Sequence, residues 1–251
     1  MIVVGFHAVE ALLGSDYEIE SVHFLNTKEK AQRIESLRKA ARARKIQLKE
    51  YDDKRDFNAA IARAGAKPDE AESSQGVFAL VGEFDYVEFE ELIARVSQKK
   101  NSILVFLDSV TDPQNLGSIL RSAAFFGVDG LITMDRRAAP LTATALKISS
   151  GGFLHVPVAQ VGNLVQALEK AKEKGFWIYG LSEHATQDLP KVEFTTPVAL
   201  VIGNEEKGMR PLVEKTCDQV LRLPAQGPQL SLNAAVAAAI SLALVRHGQR
   251  P

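Results

Sequence analysis

Four unbroken apolar runs in the second half of the chain set the tightest limit on its fold. They are Ile103–Leu107 (ILVFL), Gly130–Met134 (GLITM), residues 176–181 (FWIYGL) and Val198–Ile202 (VALVI). A strand with one wet face alternates apolar and polar residues, and these do not. Helical patterns separate them, so the runs predict strands buried on both faces of a mostly parallel α/β sheet flanked by helices. Ligands of open parallel sheets bind at the carboxyl ends of the strands, so the loops leaving these runs are where chemistry is expected.

The first third has a different texture. A strand is expected at 21–25, a helix at 57–64 and a strand at 76–82, with a polar loop over 66–76. Together they make a small α/β unit. The segment KEKAQRIESLRKAARARK has helix-forming residues with Ile34, Leu37, Ala40 and Ala41 near helical spacing. Residues 28–49 hold nine basic side chains against two acidic ones, a local charge of +7. Its bland reading is a solvated helix face; its functional reading is contact with a phosphate backbone. The whole chain carries 30 Lys and Arg against 31 Asp and Glu, for a net of −1, which excludes a histone-like or tail-type nucleic-acid binder. Residues 85–100 read as a linker with a short helix. The expected layout is 1–84, the linker 85–100, and a domain over 101–251.

Several chemistries are set aside early. The single cysteine, Cys217, makes neither an internal disulfide nor a cysteine metal site, which suits a reducing compartment. His7, His23, His155, His184 and His247 lack ligand spacing, and no G-x-S-x-G elbow is present, so no metal is expected. No run reaches the roughly 18–20 apolar residues that span a bilayer. The opening MIVVGFHAVEALLG has no leading Lys or Arg, so a cytoplasmic protein without membrane attachment is expected.

Three loops share an unusual make-up. In the first, 107–127, a strand ends at Asp108, a polar turn carries Asp112, Pro113 and Asn115, and a helix is expected from near Leu116, with Arg121 inside it. In the second, a strand runs into Gly203-Asn204-Glu205-Glu206-Lys207-Gly208, which matches neither the Walker A pattern nor G-x-G-x-x-G. In the third, Leu223-Pro224 leads through Gly227 to Ser231-Leu232-Asn233 at the mouth of an alanine-rich helix, where Ser231 is a plausible N-cap.

In that order the loops resemble the three motifs of the SpoU (TrmH-type) RNA ribose 2′-O-methyltransferases of the SPOUT superfamily. Asn115 to Ala123 is similar to N-x-G-x-x-x-R-[ST]-A, and Gly203, Glu205 and Gly208 to G-x-E-x-x-G. Pro224, Gly227 and Ser231-Leu232-Asn233 are similar to the third motif. Gly5-Phe6-His7-Ala8-Val9 and Gln75-Gly76-Val77 resemble the substrate-binding domain of the ribosomal-RNA branch. Ser74, Glu206 and Ala235 depart from residues common in relatives.

The resemblance implies a trefoil knot in 101–251, an N-terminal RNA-binding domain, a homodimer and S-adenosylmethionine as cofactor. It implies catalytic roles for Arg121, Asn115, Glu205, Ser231 and Asn233, and cofactor contacts from Gly203, Leu223, Leu232, Ser231 and Asn233. Against that background the basic helix, through Arg38, Arg42 and Arg44, is expected to touch RNA. The implied substrate is a guanosine of large-subunit ribosomal RNA. Transfer RNA, or a non-catalytic RNA-binding or ribosome-assembly role on the same fold, are the alternatives.

Overall fold

The structure, a computed structural model, describes residues 1–26, 31–66, 68–136, 138–195, 197–227 and 231–249. Lys28 and Lys30 of the basic segment lie outside them. In chain order the elements are β1 (Ile2–Val4), α1 (Phe6–Leu13), β2 (Ile19–Leu25), α2 (Ala31–Ala43), β3 (Gln47–Tyr51), α3 (Lys54–Arg63), α4 (Pro68–Glu72) and β4 (Val77–Val81). They continue with α5 (Phe89–Val96), β5 (Ile103–Leu107), α6 (Pro113–Phe125), β6 (Gly130–Met134), α7 (Ala143–Ser149), β7 (Val158–Val161), α8 (Leu164–Glu173) and β8 (Trp177–Leu181). The last are β9 (Gln187–Asp188), β10 (Val198–Ile202), α9 (Pro211–Thr216), β11 (Gln219–Arg222) and α10 (Ala234–Gly248).

The chain divides into two compact units. The first is Met1–Asp85 with Leu141–Leu154, the second Tyr86–Pro140 with His155–Pro251. Two features differ from the expected layout. Helix α5, expected in a linker, buries Phe89, Leu92, Ile93 and Val96 in the core of the second unit. Residues 141–154, expected in the C-terminal domain, pack within the first. Neither is visible to periodicity, which reports that a face is buried but not against what.

The first unit is a four-stranded sheet in the order β1-β4-β2-β3, antiparallel except for the β2–β3 pair. Phe57, Ile61 and Phe78 fill part of its core. The two N-terminal motif fragments meet there. Gly5 at the start of α1 supplies no side-chain cap, and Gln75 Oε1 accepts the Phe6 N–H instead, at 3.1 Å. Gln75 and Gly76 hold positive φ of 58° and 81°. The inserted α7 approaches closely as well: a Cβ on Gly151 would stand 2.4 Å from the Ala11 Cβ, so only glycine fits. Buried His23 stacks on Phe78 and shares hydrogen bonds with Ser21 and Tyr51, each 3.0 Å. Burial, aided by Lys49, pushes its pKa from 6.5 down to about 4, so it is held neutral.

The second unit is a seven-stranded, all-parallel sheet in the order β7-β6-β5-β10-β8-β11-β9. Every residue of β5, β6 and β10 is buried, as unalternated runs require. Alternate residues leave opposite faces of a strand. Leu104, Phe106, Ile132, Ile178, Ala199 and Val201 pack with α5, α8 and α9. Tyr179, pointing the other way, meets Phe194, against which Gly248 of α10 is tightly set. Helix α10 therefore covers that second face, side by side with α6. Among the described residues, no helix is long and apolar enough to cross a membrane.

Candidate active site

The site grows from the carboxyl ends of β5, β10 and β11. After β5 the chain turns through Ser109, at φ 63°, and enters α6 at Pro113, three residues before the expected start near Leu116. The cause is Asp112, whose carboxylate accepts the Gln114 N–H at 2.9 Å, with proline in the first turn where its missing N–H costs nothing. Asn115 thus belongs to the first turn of a helix and is buried, rather than sitting in the preceding loop.

The second loop folds on itself and grips the first. Asn204 and Gly208 exchange backbone hydrogen bonds of 3.1 and 2.9 Å. Asn204 Oδ1 accepts the N–H groups of Glu206 and Lys207, while its Nδ2 donates to the Ser109 carbonyl at 3.0 Å. Gly203 is obligatory here, because a Cβ would lie 2.4 Å from the Gly208 carbonyl carbon. Further along, Arg210 donates to Asp108 through its backbone N–H (2.7 Å) and Nε (2.6 Å). Asp108 is fully buried, and this pair compensates its charge.

The third loop joins them through a short chain of amides. Asn233, not Ser231, caps α10: its Oδ1 accepts the N–H groups of Ala235 (2.9 Å) and Val236 (3.3 Å). That leaves Asn233 Nδ2 free to donate to Asn115 Oδ1 at 2.8 Å, and Asn115 Nδ2 donates in turn to Glu205 Oε1. A serine hydroxyl would have to accept and donate through one oxygen, whereas the longer amide does the two jobs with two separate atoms. Every step has a defined donor, so both amide orientations follow from the network.

Three of the five expected catalytic residues, Asn115, Glu205 and Asn233, are brought together. Arg121 is not in that network. It lies on the exposed side of α6, in a row with Gln114, Ser118 and Phe125, and bonds to no described residue. Ser231 is exposed as well. Gly203 and Leu223 are half-buried, and Leu232 is 47% exposed. Leu223, half-buried just past β11, and the partly exposed Leu232 ahead of α10 offer apolar surface of the kind that suits an apolar-bodied ligand such as S-adenosylmethionine. Sequence reasoning missed Asn204 and Arg210, whose partners lie some 95 and 102 residues away. Asp108, at a strand end followed by a polar turn, was the available signal.

The three arginines expected on an RNA face have different fates within the first unit. Arg44 donates to the carbonyls of Leu12 (2.8 Å), Leu13 (3.4 Å) and Tyr17 (2.7 Å), closing the carboxyl end of α1. Arg38 lies over the Phe24 ring and bonds to Glu35 and Asn26. These two are internal fastenings: Arg38 faces the sheet from α2, and Arg44, just past the end of that helix, reaches back to α1. Arg42 is exposed, 3.6 Å from Glu35.

Comparisons with known proteins accord with this arrangement. Residues 102–243 match the SpoU rRNA methylase family, and residues 2–63 match a domain described as RNA 2′-O ribose methyltransferase substrate binding. A putative TrmH family tRNA/rRNA methyltransferase of Staphylococcus saprophyticus is 35% identical, covering 96% of this chain and 93% of that protein. An uncharacterised tRNA/rRNA methyltransferase of Synechocystis is 37% identical over 96% of this chain, which spans only 61% of that longer protein. Among solved structures, an AdoMet-bound rRNA methyltransferase from Sinorhizobium meliloti superposes with a TM-score of 0.77 at 20% identity, covering 100% of this chain and 88% of the other. The SpoU methyltransferase AviRb of Streptomyces viridochromogenes, with its cofactor AdoMet, gives 0.75 at 23% identity, with 98% and 89% covered. By motif, fold and family match, the chain belongs to the SpoU rRNA methylase family.

Proposed function

We propose that the chain methylates a ribose 2′-oxygen of structured RNA, with a guanosine of large-subunit ribosomal RNA as target. The observation that carries this reading is the chain Glu205–Asn115–Asn233, which locks three motif loops into one site. Bound S-adenosylmethionine supplies a methyl group already activated by its sulfonium charge. The protein's work is then to orient the 2′-oxygen in line with it, exclude water and receive a proton. Arginine keeps its proton at neutral pH, so Arg121 is assigned to gripping a phosphate of the target nucleotide and orienting its ribose. Asn115 has two polar groups committed to Asn233 and Glu205, so its role is to hold the Glu205 carboxylate. Gly203, Leu223, Leu232 and Ser231 border the cofactor.

The same reading includes the trefoil knot, a cytoplasmic location and a homodimer. Phe125 (83% exposed) on α6, and Val236 (46%) and Ile240 (41%) on α10, leave an apolar surface across two adjacent helices. Burial of that surface against a second copy would put Arg121, on the Phe125 side of α6, at the joint. Arg42 is assigned to the RNA backbone, in place of the three-arginine set.

The test incubates the purified chain and labelled S-adenosylmethionine with unmodified ribosomal RNA and, separately, transfer RNA. Nuclease digestion and mass spectrometry then locate the methyl group. The expected product is a 2′-O-methylguanosine in the large ribosomal RNA, lost in Arg121→Ala, from a protein of twice the chain mass. A methyl group on a base, or full turnover by Arg121→Ala, would sink the reading. Methylation of transfer RNA alone would replace the substrate.

A further inference from the structure

Helix α6 carries Asn115 in its first turn and Arg121 at its middle, and its far end is held by a residue the three motifs do not include. Arg246, near the end of α10, donates Nε to the Phe126 carbonyl (2.9 Å) and Nη2 to the Gly127 carbonyl (2.6 Å). Its Nη1 reaches the Asn101 carbonyl (3.2 Å) and Gln249 Oε1 (3.3 Å). Phe126 is the C-cap of α6, and Gly127 follows it at φ 63°. Their carbonyls lie at the negative end of the helix and lack partners within it. Asn101 lies just ahead of β5. One guanidinium therefore holds both ends of the strand–loop–helix unit that carries Asp108, Asn115 and Arg121.

The acceptors are carbonyls and an amide oxygen, with no carboxylate among the described partners. This is a fastening rather than an ion pair, and the rigid fork of arginine suits four divergent acceptors. With Asn233 Nδ2 on Asn115 Oδ1, α6 is tied to α10 at both ends. A helix tied only at Asn115 could swing at its other end, and Arg121, six residues along, would move with it. We infer that Arg246 is a positioning residue, fixing the bearing of Arg121 against the site; this rests on the proposed reaction. Among the described residues, Arg246 makes no hydrogen bond to 203–208, 223–227 or 231–233, so cofactor binding should not depend on it.

The experiment is a double-mutant cycle of Arg246→Ala and Arg121→Ala in the full chain. It reads turnover, KM for RNA, cofactor affinity by calorimetry and the folded fraction by circular dichroism. Arg246→Ala should lower kcat at least tenfold, since misplacement by about 1 Å can cost on the order of a hundredfold. Cofactor affinity should stay within about twofold, and Arg246→Ala should add no loss in the Arg121→Ala background. An equal fold-loss in both backgrounds, or a loss explained by the unfolded fraction, overturns the inference. Arg246→Lys keeps the charge without the fork, and takes the place of alanine in the cycle if alanine does not fold. Hydrogen exchange over residues 115–126 reads the same fastening without any RNA. Unchanged protection in Arg246→Ala overturns it, whereas faster exchange upholds it even if the wild-type chain transfers no methyl group, a result that would remove the proposed reaction alone.

Discussion

At the scale of single residues, the site depends on amides that do two jobs at once. Asn233 caps α10 with its oxygen and reaches Asn115 with its nitrogen. Asn233→Asp separates these roles. Aspartate caps a helix as well as asparagine does, but an ionised carboxylate cannot donate, and it would face the Asn115 oxygen. The variant should melt within a few degrees of wild type yet lose most of its methyl transfer. Calorimetry and a transfer assay on one preparation check it. A loss of stability as large as that of Asn233→Ala would mean that capping alone explains the residue. The same dual use explains why Ser231 looked like a cap in the sequence. A hydroxyl three residues before a helical run satisfies the pattern, but only the tertiary demand of Asn115 selects the amide two positions later.

At the scale of elements, legibility followed the kind of burial. β5, β6 and β10 are buried on both faces, so their sequences are apolar without interruption and were readable at once. β1, β3, β7 and β9 were not anticipated. β3 is polar and half-exposed, and β9 has two residues, so neither leaves a pattern in composition. Helix α2 was legible as a helix, but which of its arginines face outward was not. Arg44 lies beyond its last turn and reaches back to α1, a long-range choice that local spacing does not encode. Arg44→Ala should therefore lower stability by about 1–3 kcal/mol, since the part-buried Leu13 and Tyr17 carbonyls lose this donor. Exposed Arg42→Ala should leave the melting temperature unchanged, weaken RNA binding and reduce its salt slope by about one. Denaturant titration and binding across a salt series measure the pair. An Arg44 variant with wild-type stability and weaker RNA binding would restore the original three-arginine face.

At the scale of the whole molecule, the first unit is not a contiguous stretch of chain, since residues 141–154 complete it. Gly151 sits against Ala11, Phe153 meets Tyr17 edge-on at 6.1 Å, and Thr144 donates to Glu70 at 2.5 Å. A fragment of residues 1–85 should thus melt lower and less cooperatively than the same fragment with 141–154 joined by a flexible linker. Circular dichroism of the two would decide. Equal melting would mean that the inserted segment decorates a finished fold. The insertion also sets a schedule. At roughly 5–20 residues per second, a ribosome needs several seconds to add what lies between residue 85 and residue 154. Through that interval residues 1–85 wait with the α1 surface open, so the last contacts of the first unit close only after β5 and β6 of the other have been made.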